Sequence, residues 1–246
     1  MKKTHDILNR LKKIIPINTQ PKFTKGKDLL AWNQEQGRLN SATIERENKA
    51  MKMQRIMCDS GIRELHINCS FDNYNIENEG QLKAVKLAKQ YSIEFDKSIA
   101  SFIFSGRPGT GKNHLAAAIS NDLILRGKSV LIMTVADLMS SMKATFNENS
   151  DLTEEKLIKN LSDVDLLVID EIGIQSESKY EKIVINQIVD RRSSSKRPTG
   201  MLSNLDHASM NLLLGERVMD RMRLGKSIWI YFDWESYRSR VKGNEY

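Results

Sequence analysis

A glycine-rich segment between an apolar strand and an apolar helix is the feature that most restricts the fold of this chain. The segment Ser-Phe-Ile-Phe-Ser at 101–105 leads into Gly106-Arg-Pro-Gly-Thr-Gly-Lys-Asn113, and a helical pattern follows at once. Glycines adopt positive φ without strain, so the turn can direct several backbone N–H groups at one anion beside the positive end of the helix. This arrangement is typical of a phosphate-binding loop, and we expect it to bind ATP. The predicted nucleotide-binding residues are Gly106, Pro108, Gly109, Thr110, Gly111, Lys112, Asn113 and His114.

The last two residues of the loop predict how the phosphates and a metal ion are held. Lys112 has the length to reach the β- and γ-phosphates. Asn113 stands where this motif usually has a Ser or Thr that coordinates Mg²⁺. An amide oxygen can also bind Mg²⁺, although the Asn side chain is longer and its geometry differs. We therefore expect metal-dependent nucleotide binding with weak hydrolysis.

A pair of acidic residues after a second apolar run predicts the other half of the site. The run 166–169 is followed directly by Asp170 and Glu171. In a parallel sheet these carboxylates would emerge beside the phosphate loop. We expect Asp170 to hold Mg²⁺ together with Asn113, and Glu171 to act as the general base on water. Paired acids favour ATP hydrolysis over phosphoryl transfer to a small substrate.

Helical and strand patterns alternate from residue 81 onward. Continuous apolar strands separated by helices predict an α/β fold, with a parallel sheet covered by helices on both faces. The predicted helices are 81–95, 114–125, 137–146 (with Asp137 as its N-cap), 154–161, 179–192 and 215–222, and the predicted strands are 100–104, 130–135, 166–169, 199–202 and 228–232.

The N-terminal quarter of the chain has a different character. Short amphipathic patterns predict helices at 5–15, 27–36 and 41–58. Residues 1–60 contain 13 Lys and Arg against 6 Asp and Glu, which accounts for the whole net charge of +7. We predict a small all-helical domain at 1–60, a linker at 61–80 and an ATPase domain at 81–246. A basic helical module suggests a polyanion or an acidic protein surface as its partner.

Composition narrows the class of protein. Hydrophobic residues make up 40% and charged residues 28%, as in ordinary globular proteins. No apolar run approaches the roughly 18 residues of a membrane span, and the N-terminus lacks the apolar core of a secretory signal. Two cysteines, Cys58 and Cys69, fit neither a disulfide framework nor a metal site. We expect a reduced, cytoplasmic protein that does not associate with membranes.

With these motifs the chain resembles the AAA+ ATPases, and among them the bacterial replicative helicase loaders of the DnaC type. The resemblance covers essentially the whole chain and is carried by the stretches 101–118, 165–173, 191–202 and 215–222. Asn113 is shared by the DnaC branch, so the departure from the general motif supports the resemblance. The implied fold is an AAA+ P-loop domain, a three-layer parallel-sheet domain, with a small N-terminal all-helical domain.

The resemblance also implies roles for polar residues outside the loop. Asn204 lies at the sensor-1 position, where a polar side chain aligns water near the γ-phosphate. Arg221 resembles the arginine finger that reaches into the neighbouring subunit's site, Arg217 supports that interface, and Arg238 resembles sensor 2, which contacts the nucleotide in its own subunit. The expected catalytic set is Lys112, Asp170, Glu171, Asn204, Arg221 and Arg238.

Partner contacts follow from the same resemblance. Loaders bind single-stranded DNA through a helical insertion after the second core strand, the place that 137–161 occupies here. Leu29 and Trp32 would contact the hexameric DnaB-type helicase, and subunits would assemble through shared ATP sites. The predicted DNA-binding residues are Lys143, Phe146, Ser178, Lys179 and Tyr180. Local packing of Phe146 and Tyr180 is the structural alternative.

The leading hypothesis is an ATP-dependent loader with weak ATPase activity that places the replicative helicase on single-stranded DNA. A transposon-type ATPase that regulates a transposase on duplex DNA is the closest alternative, because its core would look much the same. A P-loop nucleotide kinase and a non-hydrolysing, ATP-gated DNA-binding protein are further alternatives. The acidic pair and the missing arginine-rich lid disfavour the kinase.

Overall fold

A computed structural model describes residues 26–38, 41, 64–97, 100–147, 152–174 and 178–237. The chain divides into two compact units, Met1–Glu47 and Asn48–Tyr246. In the first unit the described part is a helix at 26–38 together with the helical residue Ser41. The predicted helix at 27–36 is therefore confirmed. The predicted helix at 5–15 lies outside the described residues, as does that at 41–58 beyond its first residue, and the predicted domain boundaries stay predictions.

From the first described strand of the second unit onward, each strand is followed by one or two helices before the next strand. In chain order the elements are α1 (26–38), α2 (Glu64–Ile67), α3 (Glu79–Glu94), β1 (Phe102–Gly106), α4 (Lys112–Leu125), β2 (Val130–Thr134), α5 (Val135–Ala144), α6 (Glu154–Asp163), β3 (Leu166–Ile172), α7 (Lys179–Ser194), β4 (Thr199–Ser203), α8 (His207–Leu214), α9 (Glu216–Met222) and β5 (Ile228–Phe232). No helix among the described residues is long and apolar enough to cross a membrane.

The five strands form one parallel sheet in the order β2-β3-β4-β1-β5. Successive residues of β3 point to opposite faces: Leu167 and Ile169 join one apolar cluster, and Leu166 and Val168 join the other. The first cluster is completed by residues of α5 to α9 and the second by residues of α3 and α4. This three-layer arrangement confirms the predicted fold class.

The start of α5 corrects a prediction. The N-cap is Thr134, whose hydroxyl accepts the backbone N–H of Asp137 at 3.0 Å. Asp137 lies within the first turn, and its carboxylate accepts the backbone N–H of Thr134 in return. The two residues form a capping box, so the helix begins three residues earlier than a cap at Asp137 would allow.

Helix α8 was not predicted. It has eight residues, of which Met210, Leu213 and Leu214 are buried, and Asp206 caps it by accepting the N–H of Ser209. Two turns give too few repeats for a helical period to stand out in the sequence.

A fully buried arginine joins the ends of three elements. The guanidinium of Arg192 donates to the carbonyl oxygens of Leu161 at 2.8 Å and Val164 at 3.0 Å, and to the hydroxyl of Thr199 at 3.1 Å. Burial lowers the pKa of Arg192 to about 9, so the group keeps its proton near neutrality. Arg192 thereby fixes the ends of α6 and α7 against the start of β4.

Candidate nucleotide site

The glycine loop leaves the end of β1 in a conformation that only glycine accepts easily. Gly106 has φ of 119° and Gly111 has φ of 93°. A Cβ at Gly106 would overlap the backbone of Phe232, and a Cβ at Gly111 would overlap the ring of Tyr74. The backbone N–H of Arg107 donates to the Phe232 carbonyl at 2.9 Å. The loop is thus fastened to the end of β5 before it turns toward α4.

Lys112 occupies the concave side of this loop. Its side chain is buried, and its ammonium donates to the carbonyl oxygens of Gly106 at 2.8 Å and Arg107 at 2.6 Å. The hydroxyl of Thr110 donates to the same Arg107 carbonyl at 2.7 Å. The Lys112 ammonium is therefore held within the backbone turn, where it would contact the phosphate oxygens of a bound nucleotide.

The acidic pair lies directly beside the loop, as the sequence predicts. The Asn113 amide donates to Oδ2 of Asp170 at 2.6 Å, and Oδ1 of Asp170 accepts the backbone N–H of Glu171 at 2.6 Å. Glu171 has a positive φ of 61°, where the pairing of β3 with β4 is interrupted. Non-glycine residues in this backbone region are uncommon and concentrate at functional sites. Asn113 and Asp170 together offer an amide and a carboxylate to one position.

These groups line a cavity of about 510 Å³, which is a usual size for a small-molecule site. Glu171 and Asn204 line it together with the loop, so the structure brings both predicted residues to the same place. Another part of its wall carries the aromatic residues Tyr74, Trp234 and Tyr237. The lining therefore combines charged and aromatic side chains, which suits the phosphates and the base of a nucleotide.

A chain segment that the sequence patterns did not predict covers one side of the loop. Tyr74 donates its hydroxyl to the Thr110 carbonyl at 2.9 Å, and Trp234 donates its indole N–H to the same oxygen at 2.9 Å. The ring of His114 is within hydrogen-bond distance of the Ser70 carbonyl at 3.0 Å. Burial raises the pKa of Tyr74 to about 12, so its phenol remains a donor. No local pattern links residues so far apart in the chain, so the predicted linker at 61–80 gave no sign of this contact.

The predicted interface arginines lie away from this cavity. Arg217 and Arg221 project from α9 and both pair with Asp190 of α7. Arg238 lies outside the described residues.

Two of the predicted DNA-binding residues lie close together. The rings of Phe146 and Tyr180 have centroids 6.1 Å apart, and Phe146 is 62% exposed. Lys143 and Lys179 are exposed on α5 and α7, and the Ser178 hydroxyl caps α7 by accepting the Glu181 N–H at 3.1 Å.

The predicted partner-binding residues lie on α1. Leu29 and Trp32 are 43% and 39% exposed on this helix. Both are therefore accessible from solvent.

A comparison with protein families matches most of the chain to one family. The model of the IstB-like ATP-binding proteins matches residues 31–244. The match includes the glycine loop, the acidic pair and the arginine-bearing helix α9.

Curated relatives match over the full length. The chain is 66% identical over 246 residues to the replicative helicase loader DnaC of Escherichia coli strain K12, which covers 100% of both chains. It is 67% identical over 242 residues to the replicative helicase loader DnaC of Buchnera aphidicola subsp. Schizaphis graminum, which covers 98% of both. The predicted resemblance to the DnaC type is confirmed.

Solved structures agree on the fold. The crystal structure of the DnaC helicase loader superimposes with a TM-score of 0.59 at 23% identity, covering 69% of this chain and 99% of that one. The crystal structure of DnaI gives a TM-score of 0.58 at 24% identity, covering 70% and 92%.

Proposed function

This chain belongs to the family of IstB-like ATP-binding proteins, and from that premise we propose that it loads the replicative DNA helicase onto single-stranded DNA when replication starts or restarts. The observation that carries the proposal is identity of 66% to a replicative helicase loader along the entire chain, N-terminal part included. A likeness limited to the ATPase core would have left the transposon-type alternative open, because both types share that core.

The nucleotide site supports weak ATP hydrolysis with Mg²⁺ as cofactor. Lys112 would bind the β- and γ-phosphates, and Glu171 would orient and deprotonate the attacking water. Mg²⁺ is commonly held by one or two carboxylates together with phosphates and water, and Asp170 with Asn113 fits that requirement. The cation would neutralise charge on the phosphates. In the structure the Asn113 amide nitrogen points toward Asp170. Rotation of the amide would turn its oxygen toward Mg²⁺ instead.

The arginines of α9 support an assembly in which subunits share ATP sites. Arg221 would reach the nucleotide of a neighbouring subunit, Arg217 would support that contact, and Arg238 would contact the nucleotide of its own subunit. Asn204 would align water near the γ-phosphate, consistent with its place in the cavity wall. Turnover should then depend on assembly.

Two further surfaces would bind the proposed partners, single-stranded DNA and the helicase. Phe146 and Tyr180 present neighbouring rings on which bases can stack, and the exposed Lys143 and Lys179 lie close to them in the sequence to meet phosphates. The exposed side chains of Leu29 and Trp32 on α1 would contact the helicase. Ser178 would contribute mainly by capping the helix that carries Tyr180.

Size-exclusion chromatography with the organism's own replicative helicase, in ATP, tests the proposal. We expect the two proteins to co-elute, and we expect the loader to deliver the helicase to a single-stranded DNA circle, measured as unwinding of an annealed strand. Lys112→Ala should abolish nucleotide binding and delivery, because it removes the cation from the loop. Lys159→Ala, which removes an exposed lysine of α6, is the matched control.

Failure of the wild-type protein to co-elute with the helicase, with or without DNA, would refute the proposal. Co-elution with a transposase in the same assay would favour the alternative.

A further inference from the structure

Asp190 lies between the two arginines of α9. Oδ2 of its carboxylate accepts from Arg217 Nη2 at 2.7 Å, and Oδ1 pairs with Arg221 Nη1. Both arginines come from one turn of α9, four residues apart, and face the same point of α7. One carboxylate therefore holds both cations of the predicted subunit interface.

The two ion pairs differ in burial. The Arg217 side chain is 68% exposed, whereas those of Arg221 and Asp190 are 23% and 29% exposed. Arg221 also lines a small cleft between α7 and α9, next to Val189 and Ser193. The side chain of Arg221 is thus turned into its own subunit, where water screens its pairing with Asp190 less than at an open surface.

We propose that Asp190 is a positioning residue for the shared ATP site: it holds Arg221 inside the isolated subunit and gives it up when a neighbour presents bound ATP. The inference rests on the proposed function, in which Arg221 acts on the neighbour's nucleotide. A triphosphate carries more negative charge than one carboxylate and offers several acceptor oxygens, so it competes well for a guanidinium. ADP lacks the γ-phosphate and competes less well, which favours return of Arg221 to Asp190 after hydrolysis.

The energetic consequence is a threshold for assembly. An ion pair that exists only in the unassembled state stabilises that state and raises the protein concentration needed for assembly. Removing the carboxylate should lower that concentration, while the chemistry in the assembled site stays as it is. A purely structural role for Asp190 predicts the opposite, because loosening α9 would weaken the interface.

The test is the ATPase rate per subunit as a function of protein concentration, at saturating ATP. For Asp190→Asn we expect the half-maximal concentration to fall about fivefold, with the maximal rate within about twofold of wild type. Asp190→Glu keeps the charge and should behave like the wild type. Asp220→Asn removes one exposed carboxylate from α9 itself and should leave the threshold unchanged.

An unchanged or higher threshold in Asp190→Asn would overturn the proposal. Thermal unfolding of each variant shows whether its fold is intact, and Asp190→Ser repeats the test if the Asn variant is unstable. Arg221→Ala separates the two hypotheses. If it retains the full rate, the shared-site part of the proposed function fails; if it loses the rate while Asp190→Asn keeps the wild-type threshold, only the role of Asp190 fails.

Discussion

Thr110 shows how the nucleotide site depends on single residues outside the glycine loop. Its carbonyl oxygen accepts two hydrogen bonds, one from Tyr74 and one from Trp234. One donor lies before α3 and the other after β5. They hold the middle of the loop in place, and the backbone continues directly from there into the first turn of helix α4.

The phenol of Tyr74 should lose its proton at a higher pH than an ordinary tyrosine. Its pKa is raised to about 12 because ionisation would place a charge among buried atoms. Below pH 10, the ordinary value, the phenol is protonated in both folded and unfolded protein, and its contribution to stability is fully present. That contribution is lost as the pH rises through about 12, because the unfolded chain loses the proton first.

Ultraviolet titration of tyrosinate in wild type and Tyr74→Phe measures this directly. The difference between the two curves should have its midpoint near pH 12. A midpoint near 10 would mean that Tyr74 is not held as the structure has it. Tyr91→Phe is a useful control, because burial also raises the pKa of Tyr91 and its phenol donates to the Ala100 carbonyl, away from the nucleotide.

At the scale of elements, the ends of α5, α6 and α7 build the candidate DNA surface. Phe146 follows α5, and Tyr180 lies in the first turn of α7 and donates to Glu154 of α6 at 3.2 Å. The rings neighbour each other, yet most of Phe146 stays exposed. The local-packing alternative therefore accounts better for Tyr180 than for Phe146.

Phe146→Ala should weaken binding of single-stranded DNA by about 1–3 kcal/mol, the usual worth of one base stacked on an aromatic ring. Fluorescence anisotropy of a labelled oligonucleotide measures the affinity. Tyr231→Ala removes an exposed ring from β5 and should bind like the wild type. Equal affinity for Phe146→Ala and wild type would remove this ring from the DNA surface.

Element boundaries show what the sequence can predict. Strand β5 was predicted at its observed bounds, because a short apolar run between polar residues marks both ends. The predicted start of α5 was wrong, because Thr134 and Asp137 can each cap a helix and only the fold decides between them. The segment that carries Tyr74 was missed because its partners are distant in sequence.

At the scale of the whole molecule, the parallel sheet explains why the site could be predicted in part. Parallel strands end at the same edge, so the acidic pair in the last residues of β3 was expected near the loop after β1. The aromatic wall could not be predicted, because Trp234 and Tyr74 meet only through folding. The partners of Arg217 and Arg221 depend on a surface that no local pattern describes.

If ATP sites are shared between subunits, two inactive variants should restore each other. Lys112→Ala lacks a working loop but keeps Arg221, and Arg221→Ala keeps the loop but lacks the arginine. Mixed assemblies contain some sites with both groups, so the mixture should hydrolyse ATP faster than either protein alone. The measurement is phosphate release over a series of mixing ratios. Activity no greater than the sum of the separate proteins would argue against sharing.

The anchoring of residues 66–73 on helix α4 determines where a pulling force would act. Asn121, in the second half of α4, donates its amide to the carbonyls of His66, Ile67 and Cys69, and His114 contacts Ser70. Tension on the chain before residue 66 would meet these bonds first, and the apolar residues of α4 share a core cluster with strands of the sheet. The force would therefore pass into α4, the helix that begins at the phosphate loop.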